Sequence, residues 1–116
     1  MDIKKGDMFY ADLGHQNIKN SEQYGTRPVV IISNDKGNLY SPTVIVAPLT
    51  SKIKREDLPI HTILTKDKSN GLELNSVVLL EQITTIDKSR LITKLGHICE
   101  EDLIRINKSL KISLDL

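Results

Sequence analysis

The chain has 116 residues, room for one domain around one core. Its 39% hydrophobic content is too high for a disordered tail, and no apolar run approaches the roughly 20 residues that cross a bilayer. The formal charge of +1 carries no overall bias toward nucleic acid, so such a partner requires locally gathered charge.

Reading along the chain, Met1-Asp2-Ile3-Lys4-Lys5-Gly6-Asp7 lacks the apolar stretch of a secretion signal, so a cytoplasmic protein is expected. Cys99 is the only cysteine and forms no internal disulfide. Asp7 to Asp12 reads as a first strand. The polar stretch from Gly14 to Thr26 is long for a loop in a compact domain, and such loops are often functional. Arg27-Pro28 opens a second strand that runs to Ser33, with proline tolerated at its start. Asn34 to Asn38 reads as a turn, and Thr43 to Leu49 as a third, β-branched strand. Ile60 to Leu64 alternates apolar and polar residues and turns His61 outward, toward a surface or groove. Lys66 to Gly71 reads as a turn, Ser76 to Ile83 as a fifth strand and Leu91 to Ile98 as a sixth.

A helix is expected from Glu100. Three acids, Glu100, Glu101 and Asp102, suit the positive end of its dipole, and Leu103, Ile106, Leu110 and Leu114 form one apolar face. Short strands, polar loops and a final helix, with no βαβ alternation, predict a mainly β fold. Its form is a small curled antiparallel barrel with the helix packed on it, one domain over 1–116.

The chemistry is sought where the second and third strands meet. A hairpin centred near Asn38-Leu39 pairs positions whose numbers sum to about 77, which sets Arg27 opposite Thr50 at one edge of the sheet. A guanidinium and a hydroxyl then meet beside the long loop. RNA supplies its own nucleophile, the ribose 2′-OH, so cleavage requires a positioned phosphate and a stabilised charge, with no protein nucleophile or metal. Arginine's planar fork matches phosphate oxygens, and a threonine hydroxyl donates one more hydrogen bond. Arginine is a poor base, so Arg27 is read as a stabiliser, and the group that deprotonates the 2′-OH stays open. Taken alone, an arginine before a strand is more often a surface ion pair.

Other groups are weaker candidates. His15, His61 and His97 are scattered without the spacing of a metal site, so no metal and no cofactor are expected. Cys99 reads as a buried or cap-adjacent thiol. Lys52, Lys54 and Arg55 follow Thr50 and are either a solvated run or phosphate contacts. Gln82 is either a reader of base edges or a polar strand end. Aromatic residues are too few for a binding face of stacked rings.

Several motifs together resemble the MazF/PemK toxins, nearest to the Gram-positive branch. They are Lys5-Gly6-Asp7-Met8-Phe9-Tyr10-Ala11-Asp12-Leu13, Gly25-Thr26-Arg27-Pro28-Val29-Val30-Ile31, Asn34-Asp35, Ser41-Pro42-Thr43-Val44-Ile45-Val46-Ala47-Pro48-Leu49-Thr50 and Leu79-Leu80-Glu81-Gln82-Ile83-Thr84-Thr85-Ile86-Asp87. The resemblance implies an SH3-like barrel of the CcdB/PemK type, paired as a homodimer. It implies a metal-independent endoribonuclease that leaves a 2′,3′-cyclic phosphate and a 5′-hydroxyl, with Arg27 and Thr50 as its catalytic pair. The loop motif Ser21-Glu22-Gln23 and the Glu81-Gln82 pair match positions expected near bound single-stranded RNA, with UACAU-like sites expected, and Asn34, Ser51, Lys52, Lys54 and His61 complete the candidate RNA contacts. The implied partner is a MazE-like antitoxin whose flexible tail lies in the RNA groove. Tyr24 departs from the family pattern, which is often small there. Two other readings remain: a gyrase poison like CcdB, and a non-catalytic RNA-binding barrel. CcdB-like poisons rely on a C-terminal Trp-Gly-Ile, whereas this chain ends Ser113-Leu114-Asp115-Leu116 and has no tryptophan.

Overall fold

A computed structural model describes residues 2–14, 23–52 and 57–116. The strands are β1 (Asp7–Asp12), β2 (Thr26–Ile31), β3 (Thr43–Thr50), β4 (His61–Leu64), β5 (Ser76–Leu79), β6 (Thr84–Asp87) and β7 (Leu91–His97). Helix α1 (Asp35–Tyr40) lies between β2 and β3, and helix α2 (Glu100–Leu114) follows β7. One antiparallel sheet runs β4-β5-β3-β2-β1-β7, with β6 on a further edge of β3. The mainly β architecture with a C-terminal helix is the expected one. It curls without closing: among the described residues no ladder joins β4 to β7. No described helix is long and apolar enough to cross a membrane.

Three elements differ from the sequence reading. The turn after β2 contains α1, because Asn34 caps it by accepting a 2.7 Å hydrogen bond from the Gly37 N–H. The strand expected over Ser76 to Ile83 ends at Leu79. A one-turn 3-10 helix follows, Leu80–Gln82, and β6 is a separate strand. Cys99 is the exposed N-cap of α2.

β3 organises the sheet. One edge pairs with β2, while the other pairs first with β6, through Val46, and then with β5, from Leu49. Ala47 and Pro48 lie in the gap between those two ladders. A residue without an N–H therefore costs no ladder bond on that edge. The 3-10 turn Leu80–Gln82 carries the chain from β5 to β6 at the same place.

Strand alternation sends side chains to two apolar clusters. One gathers Met8, Val30, Ala47, Leu49, Leu64, Val78 and Leu80, and α2 closes it with Ile106. The other gathers Phe9, Ala11, Val29, Ile31, Val44, Val46 and Ile86. Two hydroxyls fix α2 against the sheet: Thr62 donates to Ser109 Oγ at 2.9 Å, and Ser113 donates to the Leu80 carbonyl at 3.0 Å. Leu114, expected on the apolar face, is 46% exposed at the end of the helix.

The start of β1 is anchored to β7 through Asp7, whose side chain is 3% exposed. Its carboxylate lies 2.7 Å from His97 Nδ1 and 3.1 Å from Lys94 Nζ, and it accepts from the Lys4 N–H at 2.8 Å. Burial pushes the Asp7 pKa up, but the bonds from His97, Lys4 and Lys94 outweigh it and hold the group below its ordinary value. Its stabilising contribution is complete above the unfolded carboxyl's pKa of about 3.9 and is lost as pH falls through the lower folded value. Asp7→Asn is therefore expected to cost about 1.5–3 kcal/mol near neutral pH, the range for hydrogen bonds to a charged group. In urea titrations across pH, the gap between variant and parent should narrow below about pH 4. A gap that does not change with pH would show that the charge contributes nothing.

Candidate active site

β2 and β3 are in register with Val29 opposite Pro48, Val30 opposite Ala47 and Ile31 opposite Val46. Continued by two residues, this register sets Arg27 opposite Thr50. Directly opposed residues of an antiparallel pair project from the same face. Thr50 in turn faces Val77 of β5, and Val77 faces Ile63 of β4. His61, two residues before Ile63, shares that face. Arg27, Thr50 and His61 thus lie on one side of the sheet, the side opposite α2.

Local bonds hold the pair. Arg27 Nε donates to the Tyr24 carbonyl at 2.9 Å, and its Cζ lies 5.8 Å from the centre of the Tyr24 ring. This tether uses one edge of the guanidinium, and among the described residues the terminal nitrogens make no hydrogen bond or ion pair. Thr50 Oγ1 accepts from the Lys52 N–H at 3.2 Å, which leaves the hydroxyl's own proton to be donated elsewhere. Ser51 and Lys52 are exposed just beyond the strand end. Ser51 and Arg27 border a small hollow of about 190 Å³ between β2 and the 72–76 segment.

His61 corrects the outward reading of its strand. Its side chain is only 8% exposed, and Glu81, on the 3-10 turn, puts a carboxylate oxygen 2.6 Å from Nε2. Alternation did turn it away from the helix side, and a carboxylate from a distant segment meets it there. Gln82 Oε1 accepts from the Gln23 N–H at 2.9 Å, pinning the returning loop to the same turn. Pro48, Gln23, Glu81, Gln82, Thr84 and Arg90 are among the walls of a cavity of about 390 Å³ in the gap along β3. Arg90 had no signal in the sequence.

The remaining candidates lie elsewhere. Asn34 sits past the other end of β2 from Arg27, where its side chain caps α1. Ser21, Glu22 and Lys54 lie outside the described residues, as do His15 and Arg55.

Comparison with known proteins decides the family. Residues 4–114 match the family model of the PemK-like, MazF-like toxins of type II toxin–antitoxin systems. The chain belongs to this family of toxins. Endoribonuclease EndoA of Bacillus subtilis is 47% identical over 116 residues, covering 100% of this chain and 97% of its own. Endoribonuclease MazF of Staphylococcus epidermidis is 49% identical over 114 residues, 98% of this chain and 92% of its own. With such relatives, this PemK/MazF-family chain is a MazF-type endoribonuclease. Among solved structures, MazF from Deinococcus radiodurans superposes with a TM-score of 0.81 at 20% identity, covering 100% of this chain and 99% of that one. A mycobacterial endoribonuclease in complex with its cognate antitoxin gives 0.80 at 24% identity, covering 98% and 96%. At these identities the two structures speak for the fold alone.

Proposed function

We propose that this MazF-type toxin cuts single-stranded RNA without a metal, using the substrate's own 2′-OH, and that Arg27 and Thr50 carry the reaction. In this reading the 2′ oxygen attacks the adjacent phosphorus and loses its proton. The P–O5′ bond breaks and the leaving 5′ oxygen takes up a proton, giving a 2′,3′-cyclic phosphate and a 5′-hydroxyl. Arg27's terminal nitrogens hold the equatorial phosphate oxygens as negative charge grows, and Thr50 donates one further hydrogen bond. His61, coupled to Glu81 on the same face, is the candidate for carrying a proton.

The observation that carries the reading is the β2–β3 register, which brings a guanidinium and a hydroxyl to adjacent strand ends on one face. Cytoplasmic RNA is the proposed substrate, UACAU-like sites the expected preference and a homodimer the expected assembly. A MazE-like antitoxin is the proposed partner. Its disordered tail would gain order by lying along the RNA groove.

The test is incubation of the purified protein with a UACAU-containing single strand in excess EDTA. Cleavage leaving a cyclic phosphate is expected. Loss of cutting in EDTA, restored by a divalent ion, would reject the metal-free route.

A further inference from the structure

Arg27 owes its orientation to one neighbour. Its Nε donates to the Tyr24 carbonyl at 2.9 Å, and its Cζ lies 5.8 Å from the centre of the Tyr24 ring, inside the roughly 6 Å reach of a cation over an aromatic face. The carbonyl takes the Nε–H and leaves the far end of the fork, with both terminal nitrogens, to meet a phosphate. The ring adds a second point of attachment, at Cζ, and two points restrict the swing of the group about the first.

The backbone on either side of Tyr24 is itself held. Before it, the Gln23 N–H donates to Gln82 Oε1 at 2.9 Å. After it, the Gly25 N–H donates to the Gly14 carbonyl at 2.7 Å, and the Gly25 carbonyl accepts from the Leu13 N–H at 2.9 Å. Gly25 has a φ of +74°, in the left-handed region that favours glycine, so the chain turns between the ring and Arg27. The ring is 41% exposed and belongs to neither apolar cluster, so its removal leaves the packing of the core unchanged. An untethered arginine samples many rotamers and loses that freedom whenever it grips a phosphate. A donor fixed beforehand needs no such reorganisation as charge develops.

We propose that Tyr24 is a positioning residue: its ring holds the Arg27 guanidinium with the terminal nitrogens free for the scissile phosphate, and so speeds the chemical step more than it strengthens RNA binding. The proposal rests on the role of Arg27 in the reaction above and adds a residue that acts through it.

The experiment uses the full chain. Tyr24→Leu keeps the bulk and the backbone carbonyl and removes the ring, whereas Tyr24→Phe keeps the ring and removes the hydroxyl. Single-turnover cleavage of the UACAU-containing strand at saturating protein reads the chemical step. Fluorescence anisotropy with a strand carrying 2′-deoxyribose at the cut site reads affinity. Tyr24→Leu should slow cleavage by about two- to fivefold, the effect of losing an exposed cation–π contact. It should change affinity by less than about 1.5-fold. Tyr24→Phe should cut at the parental rate. In an Arg27→Ala background Tyr24→Leu should change nothing further, because the group it positions is gone. Nitrogen relaxation should show the Arg27 Nε–H loosened in Tyr24→Leu and as ordered as in the parent in Tyr24→Phe, a readout that needs no catalysis.

Parental cleavage by Tyr24→Leu would overturn the proposal. So would an equal slowing in the Arg27→Ala background, or a loss of affinity at an unchanged rate, which is the pattern of a ring that stacks on a base. If the parent cuts no all-ribose strand while Arg27 loosens in Tyr24→Leu alone, the nuclease reading fails and the positioning of the guanidinium stands.

Discussion

Arg27→Ala is expected to lower the single-turnover rate of RNA cleavage by about 10²–10³ or more while leaving the fold intact. The size follows from what the side chain does. Its guanidinium offers several donors in one plane, and the charge it meets grows as the phosphorus becomes five-coordinate. The fold is spared because the guanidinium's described partners are a backbone carbonyl and a ring face, both on Tyr24, and neither belongs to the core. Arg27→Lys keeps the charge and loses the fork, so it should recover only a small part of the rate. Thr50→Ala should cost less than Arg27→Ala, because it removes one donor, and Thr50→Ser should restore most of that loss. Circular dichroism and thermal melts of each variant separate chemistry from unfolding. If Arg27→Ala cuts at the parental rate with an unchanged melting curve, the assignment of the pair fails.

Much of this was legible in the sequence, for identifiable reasons. The β2–β3 register was readable because two apolar strands of similar length flank one connection, and antiparallel pairing about its centre leaves little choice. Helix α1 went unread, yet it occupies that connection without moving its centre, so the pairing was unaffected. The end of β5 could not be read, because Val77-Val78-Leu79-Leu80 is an unbroken apolar run. Leu80 leaves the strand to enter the core under α2, where Ser113 binds its carbonyl, a contact 33 positions away in sequence. A separation of 20 positions likewise hid the pairing of His61 with Glu81, since alternation reports a face and says nothing of what a separate segment brings to it. Arg90 ends the short 3-10 turn after β6 and looks like any surface cation. Only the gap in the β3 ladder, beside Pro48 and the 3-10 turn, makes it part of a cavity wall.

Replacing a single ribose by 2′-deoxyribose on the 5′ side of the scissile phosphate is expected to abolish cleavage at that bond. Among the described residues, no side chain on the proposed face supplies an activated substitute nucleophile: Thr50's hydroxyl accepts from Lys52 and has no base among its described contacts, and the exposed Cys99 lies at the start of α2, on another part of the fold. Binding should persist, because the phosphates and bases that Arg27 and the β3 gap would contact are unchanged. The substituted strand should therefore act as a competitive inhibitor of the all-ribose strand, with an inhibition constant near the dissociation constant of the substrate. This outcome separates two mechanisms that an EDTA experiment leaves together, attack by the sugar and attack by a protein-activated water. A water attack would cut the deoxy strand at an undiminished rate and leave a linear phosphate, which mass spectrometry distinguishes from the cyclic product by one water. Cutting of that kind would mean that Arg27 and Thr50 steady a different nucleophile, and His61 with Glu81 would then become the place to look for the base that makes it.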